Sequence, residues 1–192
     1  MQQRSSWNIS AWQIRHAVHV LKQGGLIAYP TEAVFGLGCL PGDTEAIRKL
    51  LQLKQRPIEK GLILLASELS QLEPYLDQLK PHILQKIQSS WPGPTTWILP
   101  TPAATSPLLK GNFNTIAVRI SAHPIVRELC HQCHSPIIST SANITGKNMS
   151  YSAFDVRRHF NNHLDYILNG PLGNSEKPTI IKDAITDQIV RY

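Results

Sequence analysis

Three cysteines in 192 residues are too few for a disulfide framework. No apolar run reaches the roughly 18 residues that a membrane-spanning helix needs. The opening segment, Met1-Gln2-Gln3-Arg4-Ser5-Ser6-Trp7, carries no apolar export region after its single charge. Together these absences predict a soluble cytoplasmic protein with no membrane association. Neither G-x-x-x-x-G-K-[ST] nor G-x-G-x-x-G occurs, which argues against the standard nucleotide folds, and His-Glu-x-x-His and the nucleophile elbow are missing too. There is no internal repeat, low-complexity tract or linker. What remains, 192 residues at 42% hydrophobic, suits one sizeable core and one domain spanning 1–192.

The charge balance is +6, and it is uneven along the chain. Residues 1–60 hold 8 basic and 4 acidic groups, whereas residues 61–130 hold 5 and 4 and residues 131–192 hold 6 and 5. A positive field concentrated in the first third favours anionic partners, either a nucleoside triphosphate or an RNA backbone.

Periodicity gives an α/β alternation. Ser10 and Gln13 form a capping-box pattern ahead of Ile14, Ala17, Val18 and Leu21 at helical spacing. Leu26-Ile27-Ala28-Tyr29 reads as a buried strand ended by Pro30, and a small-residue loop over 31–42 follows. Asp43 or Thr44 caps a second helix with Ile47, Leu50 and Leu51 on one face, ended by Pro57. Gly61-Leu62-Ile63-Leu64-Leu65-Ala66 reads as a central strand, with helical stretches over 68–76 and 81–89. Strands over 95–99 and 115–120 flank a surface loop over 100–114. A helix behind Pro124 leads to Ile137-Ile138, and the remainder offers a helix near 152–160 and short strands near 165–168, 179–182 and 187–191. The expected architecture is a mixed sheet flanked by helices, with antiparallel pairs near the end.

Two loop-edge clusters carry chemistry. Lys54-Gln55-Arg56-Pro57 sets two cations at a helix exit, and they can reach one ligand only if the chain unwinds at Gln55. Ser139-Thr140-Ser141-Ala142-Asn143 sets hydroxyls and an amide where a buried strand should stop, the usual ligand position in open α/β sheets. Together they suggest one anion-binding cleft. Cys130-His131-Gln132-Cys133-His134 formally matches the haem-attachment pattern, but both sulfurs share an apolar helix face with Val126 and Leu129 and read as core. Trp91, Trp97, Phe113 and Tyr151 read as packing groups.

Five blocks occur in order over nearly the whole chain: Tyr29-Pro30-Thr31-Glu32-Ala33-Val34-Phe35-Gly36-Leu37-Gly38, Lys54-Gln55-Arg56-Pro57, Pro92-Gly93-Pro94-Thr95-Thr96, Ala117-Val118-Arg119 and Ser141-Ala142-Asn143. Together they resemble the YrdC-like family, and within it the short bacterial branch. The resemblance implies a twisted parallel/antiparallel sheet with a concave, positively charged cavity. It implies that L-threonine, bicarbonate and ATP give L-threonylcarbamoyl-AMP and pyrophosphate, and that a partner transferase complex then modifies a tRNA adenosine.

On that pattern Lys54 and Arg56 are the catalytic candidates, and Thr31, Arg119, Ser139 and Thr179 are the threonine contacts. Arg56, Lys60, Thr115, Ser141, Asn143, Ser150 and Arg191 surround the ATP, with Lys54 beside them. Magnesium is expected with the triphosphate, with no metal site built from protein side chains alone. Lys60-Gly61-Leu62 stands where many relatives have Asn-Pro-Leu, and Leu65 stands where they have histidine. With the sequence running to Tyr192, the expectation is a protein like the short relatives, without the additional carboxyl-terminal domain of the longer ones. A non-enzymatic module binding double-stranded RNA, and a carbamoyl-transfer enzyme, stand as the competing readings.

Overall fold

The computed structural model describes residues 9–160, 163–175 and 179–191. Helix α1, Ala11–Lys22, opens with the predicted capping box: the Ser10 side chain accepts from the Gln13 amide, and the Gln13 side chain returns to the Ser10 amide. Strands β1 (Ile27–Pro30) and β2 (Phe35–Gly38) form an antiparallel hairpin. Asp43 caps α2, Thr44–Lys54, by accepting from the Ala46 amide at 2.9 Å. Then follow β3 (Ile63–Ala66), α3 (Pro81–Gln88), β4 (Thr95–Pro100), α4 (Pro107–Lys110), β5 (Thr115–Ile120), α5 (Pro124–Cys133) and β6 (Ile137–Ser141). The chain continues through α6 (Ala153–Phe160), β7 (Tyr166–Ile167), β8 (Ile180–Asp183) and β9 (Ile189–Arg191). No helix among the described residues is long and apolar enough to cross a membrane.

Among the described residues, nine strands join one mixed sheet in the order β7-β1-β2-β6-β3-β5-β4-β8-β9. Because side chains alternate across a strand, register decides which face each residue serves. Leu64, Ile116, Val118, Ile138, Trp97 and Leu99 turn to one core, packed by Ile47 and Leu50 of α2, Ile83 and Ile87 of α3, and Val156 and Phe160 of α6. The described residues cover the opposite face only in part. There α1 and α5 seal one end over Ile27, Tyr29, Leu65 and Ile137, using Val18, Leu21, Val126, Leu129 and both Cys130 and Cys133. The predicted burial of the two cysteines on an apolar face therefore holds. The uncovered part of this face carries Ser139 opposite Ile63, Arg119 opposite Leu65, and Ser141 opposite Gly36.

Four expectations need correction. The 31–42 stretch contains a strand, because Gly36 and Gly38 are not turn residues: a Cβ at Gly38 would collide with the Ile138 carbonyl oxygen of the neighbouring strand. Ser139, Thr140 and Ser141 belong to β6 instead of following its end, so their site lies on the sheet face. The 100–114 segment holds α4, which buries Leu108 and Leu109 in the core. The helix expected over 68–76 is two short 3-10 turns, Leu69–Gln71 and Glu73–Tyr75, the second with Pro74 near its start.

Candidate active site

The uncovered face is hollowed into two cavities that share the Ile63 side chain. The smaller, about 240 Å³, is lined by Thr31, Arg119, Ser139 and Thr179, all four of the residues expected around threonine, with Leu65 and Ser141. Gly36 belongs to its wall for a physical reason. A Cβ there would press on the Ser139 hydroxyl at 3.2 Å and on Thr31 Cγ2 at 3.3 Å. Thr31 is itself locked, donating its hydroxyl to the Val34 carbonyl at 2.7 Å.

Arg119 is the electrostatic centre of this cavity, and it does not stand alone. It is 4% exposed, and its Nη2 donates to Glu32 Oε2 at 3.0 Å while Nη1 donates to Thr179 Oγ1 at 2.5 Å. The Ser121 hydroxyl donates to Glu32 Oε1 at 2.6 Å and accepts from the His123 amide at 3.1 Å. Burial by itself would raise the Glu32 carboxyl, but the Arg119 guanidinium and the Ser121 hydroxyl outweigh it and hold it below its ordinary range. The Nε–H of Arg119 is buried with no hydrogen-bond partner among the described residues. Such a donor is costly unless a ligand acceptor meets it. Sequence reasoning had Glu32 only as a motif letter. The available signal was a carboxylate in a segment otherwise made for burial, which demands a buried cation.

The larger cavity, about 380 Å³, gathers Arg56, Lys60 and Thr115 from the nucleotide set, along with Lys110, Asp183 and the apolar walls Ile98, Phe113 and Val190. Lys110 and Phe113 arrive with α4, whose Leu109 carbonyl accepts from the Leu62 amide at 2.8 Å. Phe113 is 54% exposed on this wall, and Tyr151 is 58% exposed beside another hollow, so neither is the packing group expected; Trp91 and Trp97 are.

The Lys54–Arg56 pair behaves differently from a shared anion clamp. Gln55 does unwind, with φ 49, yet the two side chains part. Arg56 turns two donors, Nε at 3.1 Å and Nη2 at 2.8 Å, onto the Gly61 carbonyl at the edge of the larger cavity. Lys54 is buried and its ammonium donates to the Ser141 carbonyl, to the Asn143 carbonyl at 2.5 Å and to Asn143 Oδ1 at 3.3 Å. The two clusters seen in the sequence are thus joined directly, lysine to strand end. Burial and the Arg56 charge pull Lys54 down to about 7. Against that, three acceptors ask for three N–H donors, which only the ammonium supplies.

Ser141 donates its hydroxyl to Asn143 Oδ1 at 2.7 Å, and both residues border a third hollow of about 670 Å³ with Lys147 and Arg158. Ser150 is fully buried, its hydroxyl given to the Ala142 carbonyl at 2.5 Å. Arg191 belongs to β9 by its backbone, and its side chain lies outside the described residues.

The Sua5/YciO/YrdC family model, described as Telomere recombination, matches residues 19–192. The chain belongs to the Sua5/YciO/YrdC family. Within it, the chain is 51% identical over 180 residues to the Threonylcarbamoyl-AMP synthase of Photobacterium profundum, covering 93% of this chain and 97% of the relative. It is 45% identical over 183 residues to that of Hahella chejuensis, covering 95% and 100%. Among solved structures, P. abyssi Sua5 complexed with L-threonine superposes with a TM-score of 0.85 at 32% identity, over 91% of this chain. The matched region spans only 52% of that longer Sua5 chain. E. coli YciO superposes at 0.79 and 28% identity over 95% of this chain and 89% of its own.

Proposed function

We propose that the protein makes L-threonylcarbamoyl-AMP from L-threonine, bicarbonate and ATP with release of pyrophosphate. The observation that carries this reading is the joining of two unlike cavities on one sheet face: a small, hydrogen-bonded one with a buried arginine, and a larger cation-lined one. Relatives named Threonylcarbamoyl-AMP synthase, matched over nearly their whole length, support it over the RNA-binding reading.

In this reading the threonine carboxylate sits on Arg119, and Thr31, Ser139 and Thr179 surround the rest of the amino acid. The amine, neutral when it reacts, takes up carbon dioxide, and a carbamate oxygen attacks the α-phosphorus as pyrophosphate leaves. No covalent enzyme intermediate is needed. Arg56 and Lys60 offset the charge gathering on the phosphates. Thr115 lies on the same wall, while Ser141 lines the smaller cavity and borders the third hollow with Asn143, the turn they form being held by Lys54. Lys54 thus contributes by holding that turn. Magnesium would supply charge neutralisation on the triphosphate, and Asp183 on the larger wall is the carboxylate suited to approach it. The product would pass to a transferase complex acting on tRNA.

The test is incubation with ATP, bicarbonate and magnesium, with and without threonine, reading pyrophosphate release and the mass of the nucleotide product. Threonine-dependent release of a threonylcarbamoyl-adenylate is expected. No release, with RNA still bound tightly, would replace this reading with the RNA-binding one.

A further inference from the structure

Resting on the threonylcarbamoyl-adenylate reading, we propose that Glu32 is a positioning residue that fixes the plane of the Arg119 guanidinium receiving the threonine carboxylate. Arg119 lines the smaller cavity and Glu32 does not, so Glu32 acts through the arginine. A long guanidinium in a cavity wall has several rotamers available, and each hydrogen bond removes some of them. Here one nitrogen is held by Glu32 Oε2 at 3.0 Å and another by the Thr179 hydroxyl at 2.5 Å. Of the three guanidinium nitrogens, Nε is then the one with no internal acceptor among the described residues, and each Nη keeps a second N–H beyond these bonds.

Glu32 is itself over-determined, as a positioning group must be. Its second oxygen takes the Ser121 hydroxyl at 2.6 Å, and the Ser175 amide donates to its backbone carbonyl at 3.1 Å. The passing chain fits closely only because residue 173 is glycine. A Cβ there would stand 2.8 Å from Glu32 Cα. Charge gives a second consequence. The buried pair is neutral, so the threonine carboxylate binds by directed hydrogen bonds to a held arginine, and small displacements of that arginine should show in threonine affinity first.

The experiment measures threonine and ATP KM in the pyrophosphate assay for Glu32→Gln, Ser121→Ala, Arg119→Lys and the Glu32→Gln/Arg119→Lys double variant, with thermal melts for each. Glu32→Gln is expected to raise threonine KM about tenfold or more while ATP KM stays within about twofold. Ser121→Ala should act in the same direction by about threefold, since it keeps the ion pair. In the Arg119→Lys background, Glu32→Gln should add less than about twofold, because its effect runs through the arginine. Unchanged threonine KM in Glu32→Gln, or full additivity with Arg119→Lys, overturns the proposal. If Glu32→Gln does not fold, Ser121→Ala decides by the same threonine-to-ATP split. If the wild-type protein makes no threonylcarbamoyl-adenylate, the underlying reading fails, and calorimetric binding of L-threonine to the same variants still decides the role of Glu32.

Discussion

The two cavities that meet at Ile63 are built on opposite plans. The smaller one is finished by the fold. Its arginine is ion-paired and bonded to Thr179, Thr31 is bonded to its own turn, and Ser139 lines it beside them. The larger is a more open frame, with Lys60 exposed, Phe113 and Val190 more than half exposed, and three cations on its wall against one carboxylate. A small amino acid offers few contacts, so its site must be arranged in advance. A triphosphate brings its own charge and can organise flexible cations around itself. The contrast predicts that damage to the small cavity shows in stability as well as binding, whereas damage to the large one shows mainly in chemistry.

The strongest test of that contrast is Arg119→Ala. It strands Glu32 as an unpaired buried carboxylate and should lower unfolding free energy by about 3–5 kcal/mol, along with loss of threonine binding. Urea denaturation would show it, and a loss below about 1 kcal/mol would mean that the pair is not the keystone of its cavity. Arg56→Ala should do the reverse. In the proposed reading it removes a charge-assisted contact to the phosphates worth about 1.5–3 kcal/mol, which should appear as a tenfold or greater fall in kcat/KM for ATP with a much smaller shift in the denaturation midpoint. Lys54→Ala distinguishes a tether from a phosphate ligand. Leaving the Ser141 and Asn143 carbonyls without their donor should cost about 1–3 kcal/mol of stability, and ATP affinity should fall only as far as the Ser141–Asn143 turn loosens.

The smallest expected effect is on pH. The folded-state pKa of Glu32 lies below its ordinary 4.5, so its contribution is fully present above that pH and is lost as pH falls through the lower folded value. Stability of the wild-type protein should therefore decline below about pH 4.5, and Glu32→Gln should flatten part of that acid limb. Parallel acid limbs for the two proteins would assign the decline to other carboxylates.

The sequence made local structure legible where one physical signal acted alone. The Ser10–Gln13 capping box, the Asp43 cap and the burial of Cys130 and Cys133 on α5 needed no knowledge of distant residues. It misled where a residue's reason lay elsewhere in the fold. Gly36 and Gly38 look like loop punctuation, but they are strand glycines required by Tyr29, Thr31 and β6. Lys54 and Arg56 look like a matched pair because they are two residues apart, and the left-handed Gln55 sends them to different partners. Thr31, Arg119, Ser139 and Thr179 were grouped by resemblance, and their meeting in one cavity rests on the pairings that join β1 and β2 to β6, β3 and β5, and β5 through β4 to β8, which no local pattern reveals. Glu32 opposite Arg119, 87 positions apart, is the plainest case of such a hidden partner.

The claim that the small cavity is complete before nucleotide arrives is tested most directly by calorimetric titration of L-threonine into the wild-type protein without ATP. The account predicts saturable binding to one site, weakened in Glu32→Gln. Threonine binding that appears only after ATP has bound would contradict it.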